Sequence, residues 1–153
     1  MVLLIALMMI ILPVGSVIVE RFGFGADTRL LLLAGKWFVF WAVGVRLFTA
    51  GMRQISRPQF TAEEILGIHN PDALILVREL GFANLSIGLV GLLSLVFTSW
   101  VIPGAVAGGL FIGIAGINHV TRPNKNRLEL LVTWSNIFVF VILALFVFSA
   151  LGT

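Results

Sequence analysis

Six polar side chains lie within or beside long apolar stretches of this chain, and their chemistry needs an explanation: Arg46, Glu79, Asn84, Asn118, His119 and Asn136. Ionisable groups inside a bilayer are costly, so each needs a partner or a route to water. Arg46 precedes Arg53 by seven residues. It therefore lies about 10 Å deeper along a helix, and its side chain leans further inward. We expect Glu79 to pair with Arg46, with the amides and His119 completing a polar cluster open to the cytoplasm.

Two interpretations of this polar cluster stay open. Buried amides and ion pairs can fix helix register, which would make the cluster structural. Alternatively it could bind a ligand, a lipid headgroup or a proton. We predict no catalytic residue, because no Ser/His/Asp set, phosphate-binding loop or dinucleotide fingerprint is visible. We predict no metal site either, because the chain has two histidines and no cysteine.

Three further residues in the second apolar stretch have simpler interpretations. Lys36 lies about 10 Å from the outer end of its helix and can extend its ammonium to the interface. Trp37 and Trp41 are four residues apart and share a helix face. We interpret them as packing or lipid-facing aromatics, with contact to a quinone ring as the alternative.

The composition identifies the solvent that must surround these residues. The chain has 153 residues, of which 59% are hydrophobic and 11% are charged, and its mean hydropathy is +1.11. Soluble domains are about 45–50% apolar and about 25% charged, so lipid must cover this surface. The basic residues are scattered near helix ends, which gives no indication of a nucleic-acid partner.

Five stretches approach the length of about 20 apolar residues that a membrane span needs. They are Met1–Val19, Leu30–Met52, Leu80–Thr98, Val101–Val120 and Leu128–Leu151. A capping Asn70 before Pro71 starts the third helix earlier than its apolar run. We predict a single all-α domain, an integral membrane bundle of five transmembrane helices with a short interfacial helix at 61–69. The alternative is that Met1–Val19 is a removed leader, which leaves four helices.

Loop charges predict the orientation. With five spans, six basic residues fall on one side (Arg53, Arg57, Arg78, Arg122, Lys125 and Arg127), against Arg21 and Arg29 on the other. The positive-inside rule then places the amino terminus in the cytoplasm and Thr153 outside a prokaryotic plasma membrane, the inner membrane where there are two.

Small residues recur at helical spacing in the third and fourth predicted spans. The third carries Gly81, Asn84, Gly88 and Gly91 on one face, and the fourth carries Ala105, Gly109, Gly113 and Gly116. Close helix contact in lipid depends on such residues. We expect the two faces to pack on each other, with a homo-oligomer or partner groove as the alternative.

Three short segments carry a resemblance to a known group: residues 46–51 (RLFTAG), 78–84 (RELGFAN) and 116–119 (GINH). The pattern resembles small prokaryotic membrane proteins that look like distant relatives of the DoxX-like four-helix family. The resemblance covers roughly residues 35–140, and the first span is an addition to the family pattern. It implies at most an association with respiratory quinone chemistry and oxidative-stress complexes.

These observations favour a non-enzymatic membrane subunit that is accessory to a larger complex or assembles with itself. A quinone- or lipid-binding, redox-associated protein is the alternative, and a small-solute or proton channel is the second alternative. The expected partners are membrane lipids and other membrane subunits or further copies of the chain. No cofactor is required, although the alternative function would bind quinone or lipid.

Overall fold

The computed structural model of the chain describes residues 4, 6–25, 27–121 and 127–152. These residues form an all-α fold of six helices, as predicted: α1 (7–23), α2 (Leu30–Ser56), α3 (Phe60–Ile65), α4 (Ala73–Leu93), α5 (Val101–Thr121) and α6 (Arg127–Leu151). The short helix α3 overlaps the predicted interfacial segment, 61–69. Its place at a membrane surface stays a prediction.

Four of the helical stretches are long and apolar enough to cross a membrane: Leu30–Ser56, Ala73–Leu93, Thr98–Thr121 and Leu130–Leu151. They define a multi-pass membrane protein. The structure supports four of the five predicted spans. The first predicted span, Met1–Val19, begins outside the described residues and corresponds to α1 where it is described. The orientation predicted from loop charges stays a prediction.

Local chemistry explains where the helices begin and end. The Asn70 side chain accepts the backbone N–H of Asp72 at 2.9 Å, and α4 starts one residue later. At the other end of α4, the Ser94 hydroxyl donates to the Gly91 carbonyl at 2.7 Å. The chain then turns into α5, so α4 is shifted by about two turns relative to its predicted apolar run. α2 extends to Ser56 because Pro58 lies beyond it.

Helix α2 is the centre of the bundle and contacts α1, α4, α5 and α6. Five of its residues belong to the main hydrophobic core cluster: Phe38, Val39, Ala42, Val43 and Leu47. The other helices contribute Met9, Ala105, Ile112, Val139, Leu143 and Phe146 to the same core. The stretch Val39–Val45 in the middle of α2 is π-helical, which widens the helix where it is most enclosed.

The glycine face of α4 packs against α2. A Cβ atom added to Gly91 would lie 2.6 Å from the Cα of Gly44, and one added to Gly51 would lie 2.6 Å from the backbone nitrogen of Leu85. Gly88 faces the backbone of Phe48 in the same way. The two backbones therefore touch without intervening side chains.

The small-residue face of α5 packs mainly against α6. A Cβ added to Gly109 would lie 3.3 Å from the Cβ of Leu143, and one added to Gly116 would lie 3.1 Å from the Cβ of Asn136. Gly113 meets the ring of Phe140. The expectation that the α4 and α5 faces pack on each other is therefore wrong. The physical reason is that α2 has its own glycines and offers α4 a closer approach than α5 does.

The α2–α4 contact makes a stability prediction. We expect Gly91→Ala to lower the free energy of unfolding by about 1–3 kcal/mol, because the added methyl group meets backbone that cannot move aside. Reversible unfolding of the purified protein in mixed micelles measures this.

Gly15→Ala is the matched control, because nothing lies within 4 Å of the position where its Cβ would be. That substitution should be neutral or slightly stabilising, since alanine is the better helix former. Equal losses for the two variants would contradict the packing argument.

Candidate site between α1 and α2

The residues predicted to form one polar cluster lie in different helix interfaces. Asn84 is 4% exposed, and its Nδ2 donates to Oε1 of the buried Gln54 at 2.7 Å, which links α4 to α2. Asn136 is 2% exposed and packs against Gly116, which places it between α6 and α5. Sequence reasoning missed Gln54, although it precedes Arg57 by only three residues on the same helix.

The predicted ion pair between Arg46 and Glu79 is not formed. Gly44 faces Gly91 and Gly51 faces Gly81 across the α2–α4 interface, which fixes the register of the two antiparallel helices. The α4 residues level with Arg46 are therefore near position 89, about ten residues or 15 Å from Glu79 along the axis. Glu79 is exposed instead. The sequence alone could not predict which residue of α4 lies beside Arg46, because that depends on the register of the two helices.

The remaining two predicted cluster residues lie near the end of α5. Asn118 is exposed, and its backbone carbonyl accepts the Thr121 hydroxyl at 2.9 Å. His119 is half-buried. The described part of the chain contains no group of three His, Cys, Asp or Glu side chains placed to hold a metal ion. The use of these residues as a ligand site stays a prediction.

Two buried amide oxygens are hydrogen-bond acceptors without a donor among the described residues. Oδ1 of Asn84 and Oδ1 of Asn136 have no hydrogen-bond partner among the described residues. Leaving a buried acceptor unpaired costs about 1–3 kcal/mol, so these oxygens are places where a water molecule would be held.

A different polar site joins α1 to α2, and sequence reasoning did not find it. Both carboxylate oxygens of Glu20 accept hydrogen bonds from the Lys36 ammonium at 2.8 Å. The indole Nε1 of Trp37 donates to the same carboxylate at 2.5 Å. We call Glu20, Lys36 and Trp37 the head site. Lys36 therefore has a protein partner, in addition to the route to the interface that its position predicted.

A second contact continues the head site along the same helix pair. The Trp41 indole donates to the Ser16 hydroxyl at 3.0 Å. Ser16 and Glu20 are four residues apart on α1, and Trp41 and Trp37 are four apart on α2. Two antiparallel helices bring such i, i+4 pairs together in reverse order. This matched spacing is the sequence signal that could have found the site, and it shows the two tryptophans as donors between helices.

The head site lies at one end of an open groove of about 680 Å³. The groove is lined by Ile11, Leu12, Gly15, Ser16, Val19, Glu20, Phe24, Lys36 and Trp37. The aliphatic residues occupy the earlier turns of α1, whereas the charged and aromatic residues lie near its end. One end of the groove is therefore apolar, whereas the other end carries the polar head site.

The head site is electrically balanced and only partly shielded. The side chains of Lys36 and Glu20 are 32% and 24% exposed, and the ammonium also lies 4.9 Å from the centroid of the Trp37 ring. By contrast, the nearby pair Arg21–Asp27 is 3.8 Å apart and its Asp27 side chain is fully exposed. The Glu20–Lys36 pair is held in place by Trp37, which contacts both members.

Comparison with known proteins adds no family to this description. No protein family, curated protein or solved structure matches the chain. Of the features that the DoxX-like resemblance implies, the structure supports only the general class, a multi-helix membrane protein with four apolar spans.

The Glu20–Lys36 pair makes a prediction about coupling. We expect Glu20→Gln and Lys36→Met each to destabilise the protein, because each leaves one charge uncompensated beside the apolar groove. The double variant should recover part of the loss, with a coupling free energy of about 1–3 kcal/mol in a double-mutant cycle. Unfolding in mixed micelles supplies the four free energies.

The exposed pair provides the control. The same cycle on Arg21→Gln and Asp27→Asn should give a coupling near zero, as exposed pairs do. Additive effects at Glu20 and Lys36 would mean that the two side chains do not interact.

Proposed function

We propose that this membrane protein binds a neutral amphiphile of the quinone class, with the planar head at Glu20, Lys36 and Trp37 and the tail along α1. The observation that supports the proposal is the groove itself, in which an ion pair with two aromatic neighbours ends an aliphatic channel. Ligand pockets are usually apolar with a few well-placed polar groups. Charged groups within or beside a membrane helix commonly mark functional sites.

The charge balance favours a neutral head over an anionic one. Glu20 and Lys36 neutralise each other at 2.8 Å, so the head site presents no net charge to a ligand. An ammonium has three N–H donors. Two of them are used on Glu20, which leaves one for a ligand carbonyl, while the carboxylate can accept a proton-bearing hydroxyl.

The side chains around the charges favour a planar head. Trp37 and the exposed Phe24 line the polar end of the groove. Aromatic rings stack on planar groups, whereas a phospholipid head has no planar surface to offer. Further along α1, Gly15 keeps the groove wide, because nothing lies within 4 Å of its missing side chain.

The two other functions stay predictions. An accessory subunit would show itself by large proteins that remain bound after purification. A channel would require an oligomer with a water-filled axis. Binding of a quinone does not exclude an accessory role.

A groove-filling variant tests the proposal. We expect Gly15→Leu to abolish retention of a quinone in the full-length protein, because Gly15 lines the groove and nothing lies within 4 Å of the position where the leucine Cβ would be. Native mass spectrometry after reconstitution with ubiquinone or menaquinone counts the bound molecules. The thermal unfolding midpoint should stay unchanged.

Val14→Leu is the matched control, since Val14 is the adjacent residue, is 39% exposed and does not line the groove. It should retain as much quinone as the original sequence. If neither quinone is retained and only phospholipid fills the groove, the quinone assignment is wrong. If Gly15→Leu retains quinone as well as Val14→Leu, the groove is not the site.

A further inference from the structure

Three arginines, two in α2 and one directly after it, lie on one helix face. Arg46, Arg53 and Arg57 are separated by seven and four residues. The segment Arg46–Ser56 is regular α-helix, and the backbone N–H of Arg57 bonds to the Arg53 carbonyl at 2.7 Å. Spacings of seven and four residues return to the same face. We call these three residues the basic row.

The outer part of the basic row lines a cavity. Arg53 and Arg57, together with Leu4 and Phe60, line an open cavity of about 550 Å³. The Arg53 guanidinium lies 5.0 Å from the centroid of the Phe60 ring, which orients it. The two acids of α3, Glu63 and Glu64, are exposed and do not line this cavity. The cavity therefore combines two cations with apolar walls.

The inner part of the basic row is a cation without a counterpart. Arg46 is half-buried within a candidate span, and no described residue forms a hydrogen bond or ion pair with its guanidinium. A guanidinium has five N–H donors. In lipid, leaving them all unused is costly, so a bound molecule with acceptor groups would be favoured beside this guanidinium.

We propose that the basic row binds one anionic glycerophospholipid from the leaflet next to Arg57. Arg53 and Arg57 hold the phosphate, and Arg46 donates to the acyl ester carbonyls below it. Arg46 and Arg53 are about 10 Å apart along the axis and lean in the same direction. To reach the ester groups of a lipid whose phosphate is at Arg53, the Arg46 side chain bends back towards Arg53. Basic pockets between membrane helices are known to bind anionic lipid heads. The site is separate from the quinone groove, because none of the described residues that line one cavity lines the other.

Lipid competition tests the phosphate part. The full-length protein is reconstituted into nanodiscs with equal amounts of phosphatidylglycerol and phosphatidylcholine, and native mass spectrometry measures the retained lipid. We expect retained phosphatidylglycerol to exceed phosphatidylcholine. Arg53→Gln/Arg57→Gln should reduce this ratio about tenfold or more, because each basic residue contributes separately to attraction of an anionic lipid.

Arg78→Gln is the matched control. Arg78 is an exposed basic residue on α4 that does not line the cavity. It should leave the lipid ratio unchanged, whereas an equal loss would mean that any basic residue suffices and would overturn the site. Arg53→Lys/Arg57→Lys keeps both charges and should keep most of the preference, which separates lost charge from lost folding.

Lipid chemistry tests the role of Arg46. Arg46→Gln should lower retention of ester-linked phosphatidylglycerol about threefold but leave retention of the ether-linked analogue, which lacks the carbonyls, unchanged. Equal effects on both lipids would overturn that assignment. Inorganic phosphate at millimolar concentration should not displace the lipid, and displacement would mean that the site takes a soluble phosphate. None of these results depends on whether quinone binds.

Discussion

The direct contact between the backbones of α2 and α4 is the constraint on which the rest of this bundle depends. In lipid, apolar side chains gain little by meeting each other, so helices associate where small residues allow close packing. Gly44 and Gly91 meet at one level, and Gly51 meets Gly81 at another. These two levels fix a single register. That register places Gln54 beside Asn84 and separates Glu79 from Arg46.

Polar side chains join α2 to α4 and α2 to α1, and the two contacts use different chemistry to satisfy polar groups in an apolar environment. Asn84 and Gln54 use a neutral amide hydrogen bond, and burying neutral amides costs less than burying charges. Glu20 and Lys36 use opposite charges with partial access to the surface. Neutral amides lock a buried contact, whereas a partly exposed ion pair beside a groove stays available to a ligand. This difference is why the head site, rather than the buried amides, supports a binding function.

The basic row follows from the same central position of α2. One face of α2 packs on α4 through glycines, and another meets α1 through Trp37 and Trp41. A helix enclosed on several sides has little surface left for charge. Its arginines therefore align on the remaining face towards its end. The cation that lies deepest, Arg46, is then the residue for which the described part of the chain provides no acceptor.

The sequence alone determined the all-α class, the four apolar spans, the cap at Asn70 and the small-residue faces, because each depends on composition or spacing within one segment. It could not decide which face meets which, since α2, α4 and α5 all carry small residues at compatible spacing. Only the tertiary structure shows that α4 packs on α2 and that α5 packs on α6, because the pairing depends on how closely each pair of helices can approach. The same choice separated Arg46 from Glu79 and brought Glu20 to Lys36. Pairing between distant segments is a property of helix register, and register is set by the whole set of contacts.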